Sequence, residues 1–283
     1  MKRLVLAVLI LGLFAPQARA DGLLTLQKLA KRHLRPAPLV PTSAPRPLSN
    51  LNATLETAPG RKGGYAVRLA HYTDYGPDAI IVLSRDDYRS LRAALRDYRR
   101  AGFTVGRTRI RGRRASRLTR NGSTVLLWKE GGRIFSIATG TPRKVTVKGL
   151  RATAAGLEPL GANYLGQYFA PGSNNTFFDA TLVTTDHHVS GVVEWGTDNC
   201  TFNGEPAAAY AGQASFMMLP LSSGAFSIPL DGPLVTPKGW NGSISGVVST
   251  SAINLTMQGS GVFDDESCDT GPMAVTAEQR DPN

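Results

Sequence analysis

The chain has 283 residues, with 32 Lys and Arg against 21 Asp and Glu, two Cys and 42% hydrophobic residues. That apolar content supports a folded core and excludes wholesale disorder. Two cysteines exclude a disulfide-dense miniprotein or a four-cysteine zinc site, and the length suits one large domain or two modest ones.

The first residues read as an export signal. Met1-Lys2-Arg3 supplies positive charge, Leu4 to Ala15 is an apolar run, and Ala18-Arg19-Ala20 is an A-x-A cleavage site. The run is shorter than the roughly 20 residues that cross a bilayer as a helix. Residues 1–20 are therefore expected to be a cleaved signal peptide, and the mature chain to carry no transmembrane segment. The expectation is a bacterial protein, secreted or associated with the cell envelope.

Residues 21–51 are expected to form a basic leader and a Pro-rich linker. Leu23, Leu24 and Leu26 precede Lys28, Lys31, Arg32, His33 and Arg35. This is the composition of a short amphipathic helix on an anionic membrane surface, or of a frayed spacer. Pro36, Pro38, Pro41, Pro45 and Pro47 stiffen the stretch that follows.

Charge then divides the chain. Residues 21–160 hold 27 Lys and Arg and 9 Asp and Glu, whereas residues 161–283 hold 2 and 12. Such a shift marks a boundary near Gly156–Gly161, between a basic domain (52–160) and an acidic one (161–283).

In the basic domain, Tyr65–Tyr72 and Ala79–Leu83 read as strands. Ser84 is expected to open a helix, with Asp87 at capping-box spacing. Tyr88, Leu91, Leu95 and Tyr98 share one helical face and Arg89, Arg92, Arg96, Arg99 and Arg100 lie off it. Gly102 ends that helix. Strands are expected over Phe103–Ile110, Ala115–Leu118, Thr124–Lys129 and Arg133–Thr139, with tight turns at Asn121-Gly122 and Gly131-Gly132. A short helix over Lys148–Leu157 closes the domain. The expected fold is α+β, one main helix on an antiparallel sheet.

From Gly112 to Leu157, the run of Gly112, Ala115, Leu127-Trp128, Gly131-Gly132, Phe135-Ser136-Ile137 and a closing helix resembles a known extracytoplasmic domain. That domain, of unknown function, ends some bacterial membrane-tethered anti-sigma factors and sporulation lipoproteins. The resemblance implies an envelope-facing α+β fold. It does not carry sigma-factor regulation, because the zinc-binding module and membrane anchor of those proteins have no counterpart here.

The chemical feature of this domain is its arginines. Arg107, Arg109, Arg111 and Arg113 alternate, so an unbroken strand would project all four from one face, with Arg114, Arg117 and Arg120 nearby. Crowded guanidinium groups repel, and an anionic partner relieves that cost with forked hydrogen bonds. In an exported protein the candidate partners are anionic wall polymers or lipid headgroups. The alternative is a solvated basic sheet face, and Gly112 is placed to break the alternation. Nucleic acid is not the expected partner, since Tyr and Trp do not interleave with the arginines.

The acidic domain shows no helical period from Leu165 onward. Thr176–Thr184, Val189–Trp195, Ala214–Leu219, Ala225–Pro229, Ser243–Ser249, Ala252–Gln258 and Met273–Ala277 read as strands of an all-β sandwich or small barrel. Ser190-Gly191-Val192-Val193 recurs as Ser245-Gly246-Val247-Val248, a hint of duplication. Cys200 and Cys268 are expected to pair in an oxidising compartment; Asp198, Asp265, Glu266 and Asp269 nearby disfavour a reactive thiolate. Trp195 and Trp240 are expected to divide between the core and an exposed platform.

The end of the chain, Ser267-Cys268-Asp269-Thr270-Gly271-Pro272 with Thr276-Ala277 and Arg280, resembles a C-terminal β domain of uncharacterised secreted actinobacterial proteins, over about 166–280. The resemblance implies a β fold and the disulfide, with no activity attached. Asp-Thr-Gly also occurs in aspartic proteases, but those need a second, closely placed Asp, so a turn is expected here.

Asp186-His187-His188 lacks a metal-ligand geometry on a strand, and Asp264, Asp265, Glu266 and Asp269 lack calcium-loop spacing. No metal, cofactor or catalytic set is expected. The favoured reading is a non-catalytic envelope protein whose basic domain contacts anionic wall or membrane polymers, with the β domain serving recognition or adhesion. The alternative is a secreted hydrolase or carbohydrate-active enzyme using Asp179, Glu194 or Asp198 on the β domain.

Overall fold

The computed structural model describes residues 23, 26–30, 34–42, 52–56, 64–73, 76–86, 88, 90–139, 145–173, 175–263 and 265–280. The expected signal segment 1–20, Pro45, Pro47, Asp87 and Asp264 lie outside the described residues. The architecture is mostly β, in two sheets whose described registers are antiparallel. Contacts gather the chain into two compact units, Leu39–Leu157 and Leu26–Pro38 with Glu158–Asn283. No helix among the described residues is long and apolar enough to cross a membrane.

In the first unit, the buried strand β1 (Leu39–Pro41) is held by Tyr65. Leu39 N donates to Tyr65 Oη at 2.6 Å, and Oη donates to Leu39 O at 3.2 Å. Burial pushes that phenol well above its ordinary pKa. The sheet comprises β2 (Asn52–Glu56), β3 (Tyr65–Thr73), β4 (Gly76–Asp86), β5 (Thr104–Ile110), β6 (Arg113–Arg120), β7 (Ser123–Glu130) and β8 (Arg133–Thr139). Its order is β2-β3-β4-β8-β7-β6-β5, which leaves β5 at an edge.

The Ser84 helix start is corrected. β4 keeps its ladder with β8 through Asp86, so Ser84 is a strand residue. The helix α1 (Leu91–Arg100) begins at Ser90, whose Oγ accepts from Ala93 N at 3.1 Å. Its buried Ala94, flanked by Leu91, Leu95 and Tyr98, packs in one cluster with Leu118, Val125, Leu127 and Ile134. A second helix, α2 (Val147–Ala155), is capped by Thr146 Oγ1 accepting from Gly149 N at 3.1 Å.

The second unit holds β9 (Leu157–Phe169), β10 (Phe177–Thr185), β11 (His188–Thr197), β12 (Cys200–Phe202), β13 (Glu205–Pro206), β14 (Tyr210–Pro220), β15 (Ala225–Pro229), β16 (Val235–Thr236), β17 (Trp240–Val248), β18 (Ala252–Phe263) and β19 (Glu266–Gln279). Pairing runs β15-β17-β18-β19-β9-β10-β11-β14-β16. β15 and β16 stand at opposite ends of that order yet are joined by residues 230–234, so the sheet curls. Alternation of buried and exposed residues along β18, and along β19 with one slip at Gly271-Pro272, gives it one inner face.

That inner face encloses a single core containing Phe178, Trp195, Phe216, Phe226, Trp240 and Ile253. Both tryptophans are buried and meet edge-on, centroids 5.9 Å apart, so neither forms an exposed platform. The repeated Ser-Gly-Val-Val explains itself in packing. Gly191 lies opposite Phe216 and Gly246 opposite Phe226, and the two rings touch at 5.9 Å between centroids. A Cβ at Gly246 would meet the Phe226 ring at 2.3 Å, so the ring occupies the space a side chain would need.

The leader is ordered where it is described. Residues 26–30 are helical, Leu23, Leu26 and Leu29 are buried, and Leu160 N donates to Pro38 O at 2.7 Å. A frayed spacer does not describe these residues, because their apolar face is covered.

Cys200 and Cys268 face each other across β12 and β19 and form a disulfide, with Cα atoms 4.1 Å apart and 68 positions between them in sequence. Closing so long a loop restricts the unfolded chain. Replacing both cysteines by serine is expected to lower stability by about 4 kcal/mol, measured by denaturant unfolding; an unchanged midpoint would refute the assignment of that role.

Candidate functional site

Two surfaces carry the residues singled out by sequence. The first is built by the β5–β6 hairpin. Arg111 and Gly112, with φ of 51° and 71°, form its two-residue turn, and Asn121-Gly122 and Gly131-Gly132 repeat the same conformation at the next two hairpins. The interval between the two expected strands, Phe103–Ile110 and Ala115–Leu118, is therefore a reversal at Arg111-Gly112, and the alternation does not continue across it.

Directly opposed residues share a face in an antiparallel pair. Arg109 lies opposite Arg114, Arg107 opposite Ser116, and Val105 opposite Leu118, which packs with α1. Arg107, Arg109, Arg114 and Arg120 thus occupy the α1-bearing face. Arg113 and Arg117 fall on the other face, opposite Ile110 and Gly106. All six are exposed. Among the described residues none of them has a carboxylate within salt-bridge distance. Arg120 also lies over the Phe103 ring, 5.9 Å from its centroid.

Arg111 leaves the set. Its Nε donates to Glu130 Oε1 at 3.2 Å, and Nη1 donates to Leu157 O and, at 3.5 Å, to Ala155 O. Glu130 Oε2 accepts from the buried Trp128 Nε1 at 3.0 Å. The guanidinium is spent on tying the hairpin turn to β7 and to the carbonyls at the end of α2, where cations are favoured.

The second surface lies on the outer face of the β9–β10–β11–β14 sheet. Asp179 and Glu194, two of the three candidate carboxylates, stand directly opposite each other on β10 and β11. Gln167 on β9 opposes Asp179, and Gln213 on β14 opposes Glu194. Gln213 Nε2 donates to Glu194 Oε1 at 2.9 Å. Desolvation raises the Asp179 pKa above the ordinary carboxylate value, against hydrogen bonds from Gln167 and the Tyr168 backbone that lower it. The amides were not legible as site residues, because only the register brings them beside the carboxylates.

Asp198 is not part of this row. It is fully exposed and accepts from Ser173 Oγ and Thr176 Oγ1, each at 2.6 Å, which hold its carboxyl below the ordinary value. Its work is to pin the 170–176 turn. Asp186-His187-His188 also serves a turn. Glu158 accepts from Thr185 Oγ1 at 2.6 Å, His187 N at 3.0 Å and His188 Nδ1 at 3.1 Å. Desolvation raises the Glu158 pKa, but these bonds outweigh it and the net shift is downward. Asp-Thr-Gly is not the expected turn but a register irregularity within β19, with Gly271 N donating to Asp269 Oδ1 at 2.7 Å and Thr270 Oγ1 donating to Gly259 O at 3.0 Å. No group of three metal-ligating side chains converges among the described residues.

No protein-family model matches the chain, and neither a curated protein nor a solved structure matches it.

Two outcomes follow from this geometry. Arg111→Ala is expected to destabilise the protein by about 1–3 kcal/mol by leaving Glu130 without its charged donor, whereas Arg113→Ala, with no such partner, should change the unfolding midpoint little. Equal effects would remove the distinction. For Asp179, a raised folded-state pKa means that stability is lost as pH rises through the window above the unfolded value. Asp179→Asn is expected to be more stable than the parent at pH 7, by up to about 1 kcal/mol. That gain should vanish once pH falls below the ordinary carboxylate range, where Asp179 is protonated in both the folded and the unfolded chain. Thermal unfolding across pH checks it, and a destabilised variant at pH 7 would contradict the sign.

Proposed function

We propose that the protein is an exported, non-catalytic envelope protein of a bacterium. Its first unit, read as an α+β domain, contacts anionic wall polymers or lipid headgroups. Its second, read as a β barrel, serves recognition. The observation that supports this reading is the set of Arg107, Arg109, Arg114 and Arg120, exposed on one face and without a carboxylate partner among the described residues. Arg109 and Arg114, directly opposed, repel each other, and a phosphate or carboxylate seated between them removes that repulsion. The signal-like N-terminus and the disulfide agree with an oxidising destination.

A hydrolase reading has one observation in its favour, the cross-strand pair of Asp179 and Glu194. The pair sits on an outer sheet face rather than in a cleft that excludes water, which favours binding over turnover. A screen for glycan and ester hydrolysis with Glu194→Gln as control separates the two.

The full-length mature protein is expected to bind phosphatidylglycerol vesicles and immobilised heparin at low salt and to be released as salt shortens the screening length. Each arginine near an anionic surface is worth about 1 kcal/mol. Replacing Arg107, Arg109 and Arg114 by Gln should therefore weaken vesicle binding roughly 100-fold, and replacing Arg111 should not. Salt-indifferent retention, or equal binding by the triple variant, would sink the reading.

A further inference from the structure

We infer that the outer face of the β9–β10–β11–β14 sheet is a binding site for a neutral, extended polysaccharide, read by Gln167, Asp179, Glu194 and Gln213 beside the rings of Phe169 and Phe177. This names a ligand class for the unit proposed above to serve recognition, and rests on that reading; it does not depend on the arginine face.

The geometry is that of two parallel rows. Gln167, Asp179, Glu194 and Gln213 are directly opposed in sequence across four neighbouring strands. Neighbouring strands are roughly 4.8 Å apart, so these side chains recur at a pitch close to the length of one sugar in an extended chain. Two positions along β9 and β10, on the same face, Phe169 lies opposite Phe177 with ring centroids 6.3 Å apart. The phenyl row therefore runs beside the polar row, roughly 7 Å away along the strands.

The two rows match the two surfaces of a pyranose. Phe169 is 57% exposed, so its ring is open to solvent. Phe177 lies over Gly196, where a Cβ would come within 2.5 Å of the ring. Both rings offer apolar area to the C–H face of a sugar. Carboxylates are acceptors only, and amides both donate and accept. Each carboxylate is already oriented by its neighbouring amide, Glu194 by Gln213 at 2.9 Å and Asp179 by Gln167. Hydroxyl groups, which donate, are their natural complement.

Charge selects among ligands. The six residues include two carboxylates and no cation, so an acidic polymer is repelled. A divalent metal is disfavoured because no three ligating side chains converge among the described residues. Asp198, through Ser173 and Thr176, fixes the turn that sets Phe177 beside Phe169, and is a positioning residue.

The test is affinity electrophoresis of the full-length mature protein in gels containing hydroxyethylcellulose, with polygalacturonate and polylysine as charged comparators. Hydroxyethylcellulose is expected to retard the parent. Phe169→Ala and Glu194→Gln should each weaken that retardation about tenfold. Asp179→Asn should weaken it as well while being more stable at pH 7, a combination that a purely structural role for Asp179 does not produce. The Arg107, Arg109 and Arg114 triple variant should be retarded like the parent, so loss of vesicle binding and loss of glycan binding are separable. Absence of retardation of the parent by hydroxyethylcellulose, retardation unchanged in Phe169→Ala, or retention only by polygalacturonate or polylysine would overturn the assignment.

Discussion

Register is the constraint on which the surfaces of this protein depend. In an antiparallel pair, side chains directly opposite one another share a face, and a slip by one residue turns every side chain over. At β5–β6 the register is set by the two left-handed residues Arg111 and Gly112. At β10–β11 it is pinned by Glu158, which holds Thr185, His187 and His188 together at the turn. A one-residue slip there would set Asp179 against Val193 or Trp195, both core residues, and dismantle the polar row. A turn outside the polar row therefore decides whether that row exists.

Both surfaces carry a like-charge cross-strand pair, Arg109 with Arg114 and Asp179 with Glu194. Like-charge pairs across strands cost roughly 0.2–1 kcal/mol each, small beside the roughly 5–15 kcal/mol that holds a domain folded. The fold tolerates them. Arg111 shows the contrasting solution, a guanidinium with a carboxylate and two carbonyls of its own. Its charge is satisfied internally, and it stabilises the hairpin rather than attracting a partner.

Much of the β architecture was legible. Asn121-Gly122 and Gly131-Gly132 marked their hairpins, Ala225–Pro229 reads as a strand and is one, and the cysteines meet across paired strands. The failures have physical causes. Arg111-Gly112 is a tight turn whose first residue carries no turn signature, so the sequence left open whether the arginine alternation crosses Gly112. Ser84 has the chemistry of a helix cap, but six residues of β4 pair with β8 through and beyond it, and that tertiary ladder overrides the local preference. Leu157–Phe169 escaped recognition as a strand because Gly161 and Gly166 interrupt its pattern. Both glycines sit where a Cβ would come within 3 Å of a neighbour, Thr184 Oγ1 and the Ala277 backbone respectively. Of the second surface, only the carboxylates stood out by residue type. Gln167, Gln213, Phe169 and Phe177 acquire meaning only once four strands are in register.

The two proposed contacts differ in range, and the difference follows from their chemistry. Charge on Arg107, Arg109, Arg114 and Arg120 acts over the screening length, about 8 Å at physiological salt, and needs little shape in its partner. On this proposal it would concentrate the protein near an anionic surface without choosing among polyanions. The amide, carboxylate and phenyl row acts only at contact, and its spacing is fixed by the strands that carry it. A partner must present hydroxyls at that spacing and an apolar face beside them. On these proposals selectivity resides in the β face, whereas the arginines, on the β5–β6 hairpin and open to water, supply attraction that any increase in ionic strength weakens.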